Sequence, residues 1–196
     1  MAETGLLEKP LPKPNRNLMG YAGVRTLEAL LEALLALEFL GRGYTRNAAG
    51  KAFQAWKALL GALLAAEKEK LDQLITSKEQ REWLERKGIP RVPTSRLKSL
   101  SQLLEDAGYR GIIQATSMAL DLHDYQYHGP DPDLELSKYR SKREAAKDTL
   151  LLLQSIVELV EGRLRQRLVQ AGVWAGEHDE ALRRLRGRID ELRRSL

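Results

Sequence analysis

The 196 residues are 43% hydrophobic and 30% charged, the mixture of a chain that builds a core rather than of a disordered one. No cysteine is present, which excludes disulfide frameworks, cysteine-ligated zinc, iron–sulfur clusters and thiol nucleophiles. Lys and Arg together number 32 against 27 Asp and Glu, and the resulting +5 is too modest by itself to mark a nucleic-acid binder.

Leucine occurs 37 times, while Val and Ile occur 6 times each. Strands favour β-branched and aromatic side chains, helices favour Leu, Ala, Glu, Lys and Arg, so the expected fold is all-α. Charge interrupts every apolar run before about 18 residues, so no transmembrane helix is expected. The N-terminus has no apolar signal-peptide core, and a cytoplasmic location is expected. Abundant Arg, absent Cys and only 3 Asn suit a thermophilic source.

In chain order, Pro10, Pro12 and Pro14 predict an extended arm over residues 1–20. From Ala22 to Leu40, leucines spaced three and four apart predict a helix, with Gly41 and Gly43 past its end. A second helix is expected from Thr45 to Ile75, capped by Thr45 or Asn47. Its alternation of alanines with Phe53, Trp56, Leu59 and Leu60 predicts close helix contacts and a place at the centre of a bundle.

Ser77 with Gln80 has capping-box spacing and opens a short helix ending before Gly88, after which Pro90 and Pro93 predict a linker. A helix starting at Thr94 or Ser95 closes at Gly108, and another runs from about Arg110 to Tyr127. The segment from His128 to Asp133 reads as a loop. Ser141 with Glu144 starts a long helix through about Ala171, and a final helix covers about 177–195. In that last helix Leu182, Leu185, Ile189 and Leu192 form a heptad-like seam. The expected organisation is an N-terminal arm (1–20), an up-and-down helical bundle (21–172) and an extra C-terminal helix (173–196). The seam suggests a homodimer.

Two stretches carry a family resemblance. One runs from Tyr44 through Arg46, Asn47, Gly50, Lys51 and Trp56 to Leu60; the other runs from Leu122 through His123, Asp124, Tyr125 and His128 to Asp133, then from Ser137 to Ser141. Together they resemble the archaeal PaREP group within the HEPN-like helical superfamily, over roughly residues 25–162. The resemblance implies a bundle of four or five helices, often dimeric. Its relatives include ribonuclease toxins, partner subunits of minimal nucleotidyltransferases and nucleotide-binding modules. Their ribonuclease signature is an Arg, four to six residues, then a His. Here the nearest Arg before His123 and His128 is Arg110, and the nearest before His178 is Arg167. Neither spacing fits, so the chain is expected not to be an enzyme of that type.

Three groups of residues stand out as candidate sites. On a helix, Asp121, Asp124, Tyr125 and His128 fall on one face, with His123 alongside. Such a set could offer general acid/base groups to a phosphate ester, Asp124 and His128 being the catalytic candidates. It could equally anchor the following loop by hydrogen bonds. Lys138, Tyr139, Arg140 and Arg143 are dense in positive charge beside it, with Tyr139 able to stack a base and the cations able to hold an anion. Arg46, Lys51 and Lys57 decorate the second helix, as phosphate ligands or as a solvated face. No metal site and no cofactor are expected, and Trp56, Trp83 and Trp174 read as packing residues. The leading expectation is a non-enzymatic HEPN-like binding or partner module for a nucleotide, RNA or a nucleotidyltransferase-type protein. A phosphoester-cleaving enzyme and a structural assembly protein are the alternatives.

Overall fold

Asn17 starts the first helix: its backbone is extended and its Oδ1 accepts the Gly20 N–H at 2.8 Å, satisfying one of the free donors of the first turn. In the computed structural model, which describes residues 10–195, helix α1 therefore spans Leu18–Gly41 and begins inside the stretch expected to be arm. The first nine residues of that arm, and Leu196, lie outside the described residues. A tight turn at residues 42–44 leads into α2, Thr45–Ala66.

Helix α2 is the centre of the molecule. Ala48, Ala49, Ala52, Ala55, Ala58 and Ala62 are wholly buried, and these small side chains let α1, α7 and α8 approach on different sides. Trp56, also wholly buried, donates its Nε1–H to Thr116 Oγ1 at 3.1 Å. Neither expected cap serves: Tyr44 holds the cap position, without a side-chain bond. Thr45 instead bonds to Tyr125, far along the chain.

The helix also ends sooner than expected. Glu67 breaks it, and a separate short α3 covers Lys68–Leu74. Ser77 then caps α4, Lys78–Trp83, through Gln80 N–H. Gly88 does not end this region. A π-turn over Leu84–Gly88 continues into α5, Ile89–Arg91, with Pro90 inside it, and the chain reverses at Val92 in the left-handed region, φ 41°. A 3₁₀ turn, Thr94–Arg96, leads into α6, Leu97–Asp106, and then comes α7, Ile112–His128.

Ser141 caps α8, Lys142–Leu159, by accepting the Glu144 N–H at 3.2 Å, and the Glu144 carboxylate reaches back to Arg140 N–H. The expected long helix is interrupted by a π-turn at Val160–Leu164, where Gly162 leaves helical geometry at ψ −127°, before α9 at Arg165–Gln170.

Helix α10, Gly176–Ser195, lies against α1 and α8 of its own chain. Leu182, Leu185 and Ile189 of the seam are buried there and Leu192 is partly so, which leaves that stripe spent within the molecule. His178 fastens the start of α10, accepting the Ala175 N–H on Nδ1 and donating Nε2–H to Gly23 O at 2.9 Å. Every regular element among the described residues is helical, and none of their helices is long and apolar enough to cross a membrane.

Candidate functional site

The last two turns of α7 carry the residues expected to form one chemical face, and tertiary packing divides them. Tyr125 is wholly buried, its hydroxyl 2.8 Å from Thr45 Oγ1 and its ring edge-on to Tyr139 at 5.4 Å. Tyr139 is buried too and donates to Asp148 Oδ2 at 2.9 Å. Burial raises the pKa of both phenols, and Asp148 raises that of Tyr139 further. Neither ring faces a ligand or stacks a base from solution. They tie the loop after α7 to α2 and α8.

His123 lies flat on Phe53, ring centres 4.1 Å apart, and meets Tyr127 edge-on. Gln126 Nε2 donates to its Nδ1 at 2.9 Å. Burial lowers its pKa, against the opposing pull of Asp124 and with help from Lys57. Asp124 and His128 are exposed and do not meet. Asp121 is half-buried with its pKa raised, first by burial, although Lys138 and Lys98 pull it down while Asp124 and Asp148 push it up. Lys138, Arg140 and Arg143 point to solvent among Asp133, Glu135 and Glu144, so the local charge is mixed. The loop itself is held by Asp131, whose carboxylate accepts the N–H groups of Asp133, Leu136 and Ser137 and whose pKa these bonds lower. No metal-holding group of three or more His, Asp or Glu exists among the described residues.

What the chain does build is a cleft between α1, α2 and the end of α7. It is a shallow, largely open cleft of about 530 Å³. Phe39 and Tyr127 supply aromatic surface, Tyr127 being 62% exposed, and Asn47, Gln54 and Gln126 supply amides. Arg46 frames the mouth. Its Nε donates to Gln126 O at 2.9 Å and its Nη2 to Tyr127 O, closing the C-terminus of α7 with a cation. Lys51 lies 2.9 Å from Glu32. Gly50 makes the floor possible: a Cβ there would fall 2.3 Å from Gln126 Oε1.

Of the residues singled out from sequence, the cleft takes Arg46 and Lys51 and none of the acid/base candidates. Phe39, Asn47, Gln54, Gln126 and Tyr127 come together only through folding. The one local hint is Gly50, a helix-weakening residue in the middle of an alanine-rich run.

A second polar feature is structural. Glu67 is wholly buried where α2 breaks; Tyr109 donates to its Oε1 at 2.8 Å, and Arg163 and Arg167 lie 2.6 and 3.2 Å from its Oε2. Arg163, carried on the π-turn, also donates to Ala107 O, as does Lys70.

Residues 24–150 match the family model described as the archaeal PaREP1/PaREP8 family. The match runs from α1 into the first half of α8 and so includes all three walls of the cleft. No curated protein and no solved structure matches the chain.

Proposed function

We propose that this chain, which belongs to the archaeal PaREP1/PaREP8 family, is a non-enzymatic binding module whose cleft between α1, α2 and α7 takes a nucleotide or a nucleotide unit of RNA. The observation that carries this reading is the lining of the cleft. Two aromatic rings can stack a base, three amides can hydrogen-bond its edges, and Lys51 can draw a phosphate from beside Glu32. The resemblance to HEPN-like helical proteins, which include nucleotide-binding modules, agrees with it.

The cleavage alternative gains no support from the geometry. Asp124 and His128 are exposed with no hydrogen bond or ion pair between them, and the Tyr125 and Tyr139 phenols are hydrogen-bonded in the core. A general base must reach the proton it removes, and among the described residues neither side chain has a hydrogen-bonded partner that orients it.

Calorimetric titration with AMP, ATP and GTP tests the proposal. Binding of one of them in the micromolar to millimolar range is expected, weakened at least fivefold by Tyr127→Ala or Gln126→Ala. No heat from any of the three at millimolar concentration, or equal binding by both variants, overturns it. Turnover of nucleotide or RNA by the purified protein, lost in His128→Ala, would instead establish the enzyme.

A further inference from the structure

A run of cations lies away from the cleft, in the folded-back segment between α4 and α6. Arg86, Lys87, Arg91, Arg96 and Lys98 fall within 13 residues that contain no acid. All five are exposed, and Arg86, Lys87 and Arg91 make no ion pair within the described residues. Many other surface cations are paired: Arg25, Arg42, Lys51, Lys68, Arg165, Arg183, Arg186 and Arg188 each hold an acid.

The backbone beneath these cations is shaped at a cost. The π-turn of Leu84–Gly88 and the left-handed Val92, a β-branched residue where such residues rarely sit, turn the chain back on itself. The reversal sets the Arg96 guanidinium over the Trp83 ring at 5.6 Å. That pair forms a flat, half-exposed cationic platform on which a nucleobase can stack. No large aliphatic side chain is exposed between Leu74 and Tyr127.

Helix α2 runs between the cleft and the basic segment. Gly50, Gln54, Lys57 and Gly61 fall at i, i+4, i+7 and i+11 on α2, one face about 16 Å long. Gln126 of the cleft lies over Gly50, and Val92 of the basic segment lies over Gly61. Lys57 sits midway, its pKa lowered by burial and by Arg25. Lys57 thus places one cation on this face between the two features.

We infer that the segment from Trp83 to Lys98 binds the phosphodiester backbone of a single-stranded nucleic acid, with Trp83 and Arg96 as a stacking platform and the strand running along α2 toward the cleft. The direction of the strand rests on the nucleotide reading of the cleft; the binding surface itself does not.

The test uses the full chain and labelled 12-nucleotide single strands of RNA and of DNA, across a salt series. Salt-sensitive binding is expected, and the triple variant Arg86→Ala, Lys87→Ala, Arg91→Ala should weaken it at least tenfold. The same variant should flatten the salt slope by about two, since each single-strand phosphate contact contributes roughly 0.7 to it. Trp83→Leu should weaken binding with the slope unchanged. AMP, ATP and GTP titrations on the triple variant should match the wild type. A triple variant that binds both strands like the wild type overturns the inference whatever the cleft does, as does preference for a duplex, an acidic peptide or anionic vesicles. Strand binding lost in the triple variant while no mononucleotide binds upholds the surface and removes the cleft reading. Comparing the two strands shows whether a 2′-hydroxyl is read.

Discussion

The Tyr109 hydroxyl lies 2.8 Å from a Glu67 carboxylate that is wholly buried, and this contact joins the break between α2 and α3 to the turn after α6. Two guanidiniums, Arg163 and Arg167, complete the pairing from the far end of the chain. Replacing Glu67 by Gln leaves both facing a neutral amide. Breaking a buried pair costs about 3–5 kcal/mol, and the arginines are about one-third exposed, so a loss of about 2–3 kcal/mol is expected in urea denaturation.

The same contact sets the behaviour in alkali. Burial first, and Glu67 next, raise the Tyr109 pKa above its ordinary 10.0; burial and Asp148 do the same for Tyr139. A folded-state pKa above the unfolded one holds stability constant below about pH 10 and removes it as pH rises further, because the unfolded chain then releases protons that the folded one keeps. The unfolding free energy should therefore fall between pH 10 and 11. Tyr109→Phe should cost about 1.5–3 kcal/mol at neutral pH, as loss of a hydrogen bond to a charged group. It should also make the alkaline decline shallower, with Tyr139, Tyr125 and Tyr21, whose phenols burial also raises, accounting for what remains.

His123 gives the opposite dependence in acid. Burial against Phe53 lowers its pKa, so its contribution is fully present above the unfolded value of about 6.5 and is lost as pH falls through the folded one. Denaturation midpoints at pH 7.5 and pH 5 should differ more in the wild type than in His123→Phe. An equal difference in the two proteins would show that other groups carry the acid response.

Much of the architecture is legible in local chemistry. Ser77 and Ser141 cap the helices their spacing announces, and Leu182, Leu185 and Ile189 bury the face their period announces. The differences arise where distant partners outweigh local signals. Thr45 could cap α2, but the buried Tyr125 needs a hydrogen-bond partner and takes its hydroxyl. Glu67 stands in the charged stretch Glu67-Lys68-Glu69-Lys70 and is nonetheless the most buried carboxylate of the described chain, because its partners lie 42, 96 and 100 residues away. The helical spacing of Asp121, Asp124, Tyr125 and His128 is correct as geometry. Which part of that face meets solvent depends on α2 and on the loop that folds back over Tyr125, and neither is written into the spacing.

His178 tests the attachment of α10. Its Nδ1 accepts the Ala175 N–H and its Nε2–H reaches Gly23 O, while its ring stacks on Trp174 at 4.8 Å. Phe at this position keeps the stacking and removes both bonds, leaving the Ala175 N–H without its partner and Gly23 O with its helical bond alone. An unpaired buried group costs about 1–3 kcal/mol. Because water can reach the linker, His178→Phe should cost about 2 kcal/mol in all. Amide exchange should quicken in α10 and stay unchanged in α7, and a uniform increase would mean instead that α10 unfolds only with the whole bundle.

The two glycines at the ends of the α2 face should respond differently to alanine. In a helix interior the change favours folding by about 1 kcal/mol before any clash is counted. At Gly61 the new Cβ would lie 3.2 Å from Arg25 Nε and 3.3 Å from Val92 Cγ2. Val92 is wholly buried in a strained conformation and has little room to move, so Gly61→Ala should lower stability by about 1 kcal/mol and disturb the turn that carries Arg91. At Gly50 the obstacle is Gln126 Oε1, the far end of a flexible, half-buried side chain. Gln126 can swing away, giving up its bond to His123, so Gly50→Ala should leave the denaturation midpoint nearly unchanged. It should nonetheless weaken nucleotide binding, because the amide is displaced and the new methyl group raises the floor of the cleft. Unchanged stability with unchanged nucleotide affinity would place the ligand elsewhere on the surface.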